Sequence, residues 1–362
     1  MPNPSPLEPP PRTWPWRPLL PPLLAVVICM LAGVGALAAL GYPPAEVLRA
    51  VATKVLWHPN PSLRLVAWAN VLQYATPILL TGLAVTVAFR ASVWNIGAQG
   101  QYLAGAIAAN VVGAFLGAPA VVTIPALLIA GIGAGSMVAM IAAVLDWWRK
   151  VPVVLSTLLL NFIVIELLRY LIVGPLRDPG AIVRTRELLP GAQIPVLGEM
   201  RLQPGFFAAI LAAAVVWFIL RQTTFGFRLR VVGENPVAAR FAGISVPRVS
   251  LATLAFSGAL AGLAGGLEIS GVRHELVFSD ADSGYGFTGI AVALLGRLNP
   301  VGVIAAALFF GLLRACFFAL EIEARVPSVT GLALQGLVIV LMLVLTQPTM
   351  VRKFLGRRKG SS

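Results

Sequence analysis

Apolar and polar residues follow one another in long blocks along this chain. Segments of mostly apolar residues alternate with short polar connections that carry most of the charges. A run of about 20 apolar residues has the length of a helix that crosses a bilayer. The pattern therefore predicts an all-α, polytopic membrane protein with about ten transmembrane helices. The apolar segments lie at about 23–40, 65–89, 92–116, 119–145, 151–173, 205–220, 249–271, 285–296, 301–320 and 329–346.

Composition strengthens this prediction. Of the 362 residues, 58% are hydrophobic and 11% are charged, and the mean hydropathy is +0.88. A soluble protein carries about a quarter charged residues, so a water-soluble enzyme is excluded. The two cysteines, Cys29 and Cys316, both lie in apolar segments, so we expect neither a disulfide framework nor a metal site.

The net charge of +13 indicates how the chain is oriented in a membrane once the charged residues are assigned to the two sides. If the N-terminus is cytoplasmic, 16 lysines and arginines face the cytoplasm and nine face the other side. Cytoplasmic loops are the ones enriched in these residues, so we expect both termini to be cytoplasmic. The excess positive charge then faces anionic membrane lipid, and no nucleic-acid partner is needed to explain it.

The chain divides into three regions. Residues 1–22 are rich in proline and predict a disordered cytoplasmic tail, 23–346 form the membrane domain, and 347–362 form a basic cytoplasmic tail. A cleaved signal peptide is the alternative for the first apolar segment, although a run of about 18 residues is long for one. Two long connections stand out, an outer one at about 174–204 and a basic inner one at about 221–248.

The inner connection contains a short helix with clear boundary signals. Asn235 suits the N-cap, Pro236 the first helical position and Gly243 the position after the C-cap, where a positive φ is required. One interpretation is a helix that lies on lipid with Phe241 as its anchor. The other is a rigid knob that docks into a cytoplasmic partner, and we favour it because the helix connects two membrane segments.

A second candidate is the polar start of the segment FRASVWNIGAQGQYLAGA, residues 89–106. Asn95, Gln99 and Tyr102 are spaced i, i+4 and i+7, which predicts one helical face. Amides and an aromatic ring suit a polyol or a nucleobase better than an ion, so these residues are candidates for the substrate pathway. Hydrogen bonding between closely packed helices explains them almost as well.

The segment GFTGIAVALLGRLNP, residues 286–300, resembles a half-helix, and it either crosses the membrane or re-enters it. Its TGIAVALLGR echoes TGLAVTVAFR at 81–90, and interrupted segments in both halves of a chain point to a transport pathway. Among charges inside the segments, Glu166 and Arg169 are spaced to pair. Glu268 and Arg314 are expected near helix ends.

The sequence also lacks the motifs of several enzyme classes. It has no P-loop, so the chain cannot hydrolyse ATP by that route, and its His-Glu pair lacks the second histidine of a zinc protease. Asp280 and Asp282 leave open a membrane-embedded transferase that uses them to hold a metal.

Three stretches together resemble the permease subunits of bacterial ABC importers of the nucleoside and simple-sugar branch, which is related to ribose and branched-chain amino acid permeases. They are residues 89–106, 230–268 and 286–304, and the resemblance covers about 65–345. It departs from the family pattern at Gln99, where glutamate is common.

The resemblance implies a permease domain at 23–346 in the multi-pass inner membrane of a bacterium, without ATPase activity, cofactor or metal of its own. ATP would bind a cytoplasmic partner subunit, a second identical or homologous permease would complete the pair, and an extracytoplasmic solute-binding protein would deliver the solute. The loop at about 221–248 would couple the two functions. The residues expected to couple to the ATPase are Asn235, Pro236, Ala239, Arg240, Phe241 and Gly243.

The sequence thus predicts a permease subunit that translocates nucleosides. A simple-sugar permease, a branched-chain amino acid permease and a self-contained secondary transporter are the alternatives.

Overall fold

The computed structural model describes residues 31–198 and 201–346, and every regular element within these ranges is helical. The two predicted tails, residues 1–22 and 347–362, lie outside the described residues, as does the start of the first apolar segment.

The helices closely follow the apolar blocks of the sequence, and the nine segments predicted between 65 and 346 each coincide with one of them. The connection before the first of these contains α2 and a π-helical turn, Ala52–Leu56. The helices are α1 (31–39), α2 (Pro44–Val51), α3 (Pro61–Arg90), α4 (Ala98–Phe115), α5 (Ala120–Arg149), α6 (Val153–Val173), α7 (Gly205–Gln222), α8 (Thr224–Glu234), α9 (Pro236–Phe241), α10 (Val246–Glu268), α11 (Tyr285–Leu295), α12 (Pro300–Glu323) and α13 (Ser328–Thr346).

Six of the described helices are long and apolar enough to cross a membrane. They are α3, α5, α6, α7, α10 with the π-helical turn that extends it to Arg273, and α12. By contrast α11 has 11 residues, about 16 Å, which is too short to cross alone.

Glycines bring α4, α5 and α10 into backbone contact at the centre of the bundle. A Cβ added at Gly105 would overlap the backbone of Gly262, and one at Gly135 would overlap Gly258 and Gly262. Small residues allow this close approach, which is a common way for helices to associate in lipid. Glycine is therefore required at these positions because the neighbouring helix leaves no room for a Cβ, and not because a turn needs a special backbone conformation.

The bundle has two distinguishable ends. One end, called the α9 end, contains α9 and α8. There the Ser92 hydroxyl, just after α3, donates to the carbonyl of Gly233 on α8 at 2.7 Å. The turn between α11 and α12 lies at the same end, since Arg90 Nε donates to the Leu298 carbonyl at 2.7 Å. Because α10 leads from α9 to the opposite end, the chain between α10 and α12 runs back from that end of the bundle to the α9 end.

The long connection at 174–198 covers the opposite end. Its backbone is tied down where Leu188 N donates to the His274 carbonyl at 2.8 Å and Ile194 N donates to the Ser270 carbonyl at 2.7 Å. Arg184 pairs with Asp178 and Glu275, and the charge of Glu275 raises the pKa of Arg184 further. This connection is ordered by its hydrogen bonds rather than by a long helix or strand.

Candidate functional site

The short helix α9 has the boundaries that its sequence predicts. The Asn235 side chain accepts hydrogen bonds from Val237 N and Ala238 N, both at 3.0 Å. At the other end Gly243 has φ +76°, and Ile244 N donates to the Ala239 carbonyl at 2.9 Å. These bonds satisfy backbone groups at both ends of the helix, so α9 is fixed by its own caps.

One side of α9 faces solvent and the other faces the bundle. Phe241 is 90% exposed and Val237 is 58% exposed, whereas Ala239 is completely buried. Ala239 was predicted among the residues that couple to the ATPase. Its side chain is buried and seats α9 on the rest of the protein, and its part in coupling stays a prediction. The side available to a partner carries the exposed residues Val237, Arg240 and Phe241.

The three residues predicted to share one helical face do not do so. The helix α4 begins at Ala98, so Asn95 lies in the preceding loop. The Asn95 amide there donates to Gln101 at 3.0 Å and to the Ser257 hydroxyl at 2.9 Å, and its oxygen accepts from Gly97 N. Gly97 and the loop's hydrogen bonds override the helical spacing, so this prediction was wrong for Asn95.

Gln99 and Tyr102 do lie on α4, and both contact the start of α11. Gln99 Oε1 accepts from Gly286 N at 2.8 Å, and Gln99 Nε2 donates to the Ser283 hydroxyl at 3.1 Å. The rings of Tyr102 and Tyr285 meet edge to face with centroids 5.5 Å apart. These contacts match the alternative of hydrogen bonding between helices, and a role in the substrate pathway stays a prediction.

A cavity of about 560 Å³ lies near the end of the bundle opposite α9. Its wall comes from α3, α12, α13 and the chain that links α10 to α11. The residues that line it are Gln73, Tyr74, Glu268, Val272, Arg273, Ser279, Asp282, Ser283, Arg314, Phe317, Phe318, Glu321, Val326, Pro327, Gly331 and Gln335. Asn95, Gln99 and Tyr102 are not among them.

Two arginines organise the polar wall of this cavity. Arg273 lies between two buried carboxylates, with Nε 3.6 Å from Glu268 and 3.5 Å from Asp280. Arg314 donates to the Ser283 carbonyl at 2.9 Å, and its guanidinium carbon lies 4.4 Å from the centroid of the Tyr285 ring.

The sequence alone assigned Glu268 and Arg314 to the interface at helix ends. Glu268 is the last residue of α10, as expected, whereas Arg314 lies more than two turns from the end of α12. Both side chains line the cavity. An arginine inside an apolar span was the signal available in the sequence, because such a charge is costly unless it faces a cavity or a partner.

The remaining charged candidates take separate partners. Glu166 accepts from Arg169 at 2.7 Å, which confirms their predicted pairing. Asp280 accepts from Val277 N and faces Arg273, whereas exposed Asp282 lies 3.6 Å from Arg169. The two aspartates therefore meet different arginines, which does not favour a shared metal for a transferase.

Comparison with known proteins gives one consistent family. Residues 67–346 match the family described as the permease component of branched-chain amino acid transport systems. The chain is 35% identical over 317 residues to a guanosine ABC transporter permease of Bacillus subtilis, an alignment that covers 86% of this chain and 88% of that protein.

Two further relatives come from different organisms. A glucose ABC transporter permease of Haloferax volcanii is 33% identical, with 92% of this chain and 90% of that protein covered. A nucleoside ABC transporter permease of Lactococcus lactis is 30% identical, with 82% of this chain and 83% of that protein covered.

Proposed function

The chain belongs to the permease family of branched-chain amino acid transport systems, and we propose that it carries nucleosides through the cell membrane as the transmembrane subunit of an ATP-driven importer. The nucleoside assignment is supported by the guanosine and nucleoside permeases among its relatives. The glucose permease keeps a simple sugar as the second candidate solute.

The proposed topology has about ten spans with both termini in the cytoplasm. Six helices have the length and hydropathy of a span. The others would be α4, α13, the first apolar segment, and α11 together with the chain before it. With this orientation the α9 end is cytoplasmic and the 560 Å³ cavity lies toward the outside.

The single observation that carries the proposed mechanism is α9, a capped helix with an exposed phenylalanine. An ATP-binding subunit would receive Phe241 and Val237 in an apolar groove, while buried Ala239 holds the helix on the permease. Movement of that subunit on ATP binding would shift α9 and switch access to the cavity. A second permease and an extracytoplasmic binding protein would complete the complex.

The first experiment is affinity purification of the tagged chain from its native bacterial membranes in mild detergent, followed by mass spectrometry. We expect a co-purifying ATP-binding subunit, and a known importer purified in parallel checks that complexes survive. The complex in proteoliposomes, with the binding protein and radiolabelled guanosine outside, should then take up guanosine only when ATP is enclosed inside, where it reaches the ATP-binding subunits.

Uptake driven by a proton or sodium gradient, without ATP and without a co-purifying subunit, would contradict the proposal and identify a secondary transporter. Uptake of glucose but not of guanosine would keep the importer and change its solute.

A further inference from the structure

We propose that the 560 Å³ cavity is the nucleoside site of this permease, and that Arg314 makes it selective for a 6-oxopurine base, as in guanosine or inosine, over adenine. This inference rests on the proposed function and adds the residue that distinguishes between bases.

Arg314 is held in place and keeps unused hydrogen-bond donors. Its NH1 donates to the Ser283 carbonyl, and its guanidinium packs over Tyr285. None of the described carboxylates lies within 4.0 Å of it, and it lines the cavity. A guanidinium carries five N–H donors, so most of them are left for a solute. A half-buried cation inside an apolar helix is costly unless such a partner exists.

The chemistry of the guanidinium determines which base it can bind. Arginine only donates hydrogen bonds, so it needs an edge with two acceptors side by side. The O6 and N7 atoms of guanine or hypoxanthine form such an edge, whereas adenine has a donating amino group in place of O6. Arg314 therefore pairs well with a 6-oxopurine and opposes adenine.

The other walls of the cavity suit the rest of a nucleoside. Tyr74, Phe317 and Phe318 provide aromatic surface against which a base can stack. The carboxylates of Glu268 and Glu321 can accept hydrogen bonds from ribose hydroxyls. A volume of about 560 Å³ lies within the usual range of small-molecule sites, about 300–1,000 Å³.

The charges on the wall nearly cancel, which matches an uncharged solute. Two arginines, Arg273 and Arg314, face three carboxylates, Glu268, Asp282 and Glu321. A nucleotide would bring its phosphate charge into a wall with no excess of cations. The site therefore fits a nucleoside better than its phosphate.

The test compares wild type with Arg314→Gln in the complete reconstituted complex. Initial uptake of guanosine and of adenosine is measured separately, each supplied on the same saturated binding protein. The selectivity of the binding protein then cancels when the variant is compared with wild type. Glutamine offers one donor and one acceptor and so matches adenine. We expect the guanosine-to-adenosine ratio to fall about tenfold or more.

Arg325→Gln is the matched control, because Arg325 is an exposed arginine beyond the end of α12 that does not line the cavity. The guanosine-to-adenosine uptake ratio of Arg325→Gln should equal that of wild type. If Arg314→Gln does not fold, Arg314→Lys replaces it, since lysine keeps the charge but loses the paired donors. The ratio should fall in that variant as well.

Different results would contradict the role of Arg314 and the proposed transport function. An unchanged ratio in the folded Arg314 variant, with guanosine uptake retained, would overturn the role of Arg314 and leave the importer intact. A wild-type complex that imports adenosine as fast as guanosine would overturn it too. A wild-type complex without ATP-dependent uptake of any nucleoside would instead reject the proposed function.

Discussion

Gln99 and Gly286 bring α4 and α11 into direct contact. The side-chain oxygen of Gln99 accepts a hydrogen bond from the backbone N–H of Gly286 at 2.8 Å, and a Cβ at Gly286 would overlap the backbone of Gln99. The first turn of α11 is therefore fastened to α4 by one buried bond and by the absence of a side chain at Gly286.

Replacing Gly286 by alanine should destabilise the protein. The added methyl group meets backbone, which cannot move aside as a flexible side chain can, and overpacking of this kind costs about 1–3 kcal/mol. Thermal unfolding of the purified protein in detergent measures the effect as a lower melting temperature. Gly133→Ala on α5 is the control, since a Cβ there meets nothing within 4 Å. An unchanged melting temperature for Gly286→Ala would show that α11 does not pack this closely.

The amide of Gln99 can be tested separately from the glycine. Gln99→Leu leaves the buried N–H of Gly286 without an acceptor, so we expect the free energy of unfolding to fall by about 1–3 kcal/mol. Gln99→Glu keeps an acceptor for Gly286 and can accept from Ser283, so it should be the milder change. Thermal unfolding of the two variants side by side decides the point. Equal stability of both would mean that this hydrogen bond is not what fastens α11.

The exposed phenylalanine of α9 should matter for coupling and not for folding. Because Phe241 is 90% exposed, Phe241→Asp should leave the melting temperature unchanged but lower substrate-stimulated ATP hydrolysis of the complex at least about tenfold, as expected for an apolar anchor in an interface. Phe278→Asp is the control, an exposed phenylalanine away from α9. Full stimulation in Phe241→Asp would remove Phe241 from the interface. Ala239→Asp is unsuitable for this test because Ala239 is buried.

Variants of Asn235, the N-cap residue of α9, should differ in the stability of α9 and in stimulated ATP hydrolysis. Asn235→Ala removes the acceptor for Val237 N and Ala238 N and should cost the helix about 0.5–2 kcal/mol. ATP hydrolysis stimulated by substrate should fall, because α9 would no longer be held rigid. Asn235→Asp keeps the acceptor and should restore the activity. Hydrogen exchange of residues 236–241 supplies the structural measurement, and equal protection in all three proteins would contradict the role of the cap.

The sequence predicted what depends on neighbours along the chain. Helix lengths follow from apolar runs that a bilayer requires, and the ends of α9 follow from Asn235 and Gly243, whose effects act within one turn.

What depends on distant partners was missed. The burial of Ala239 is set by the elements beneath α9, and the position of Asn95 is set by Gln101 and by Ser257 on α10. The cavity around Arg314 forms where α3, α12 and α13 meet, and periodicity within each helix does not reveal this arrangement.

The glycine contacts among α4, α5 and α10 have a mechanical consequence. Helices whose backbones touch at Gly105, Gly135 and Gly262 have no side chains between them to rearrange, so they cannot slide past each other without separating. Since α10 begins shortly after α9, a force applied at Phe241 would move α4, α5 and α10 together as one rigid unit. Because α10 ends at Glu268, which lines the cavity, a displacement at the α9 end of the bundle would reach the cavity wall.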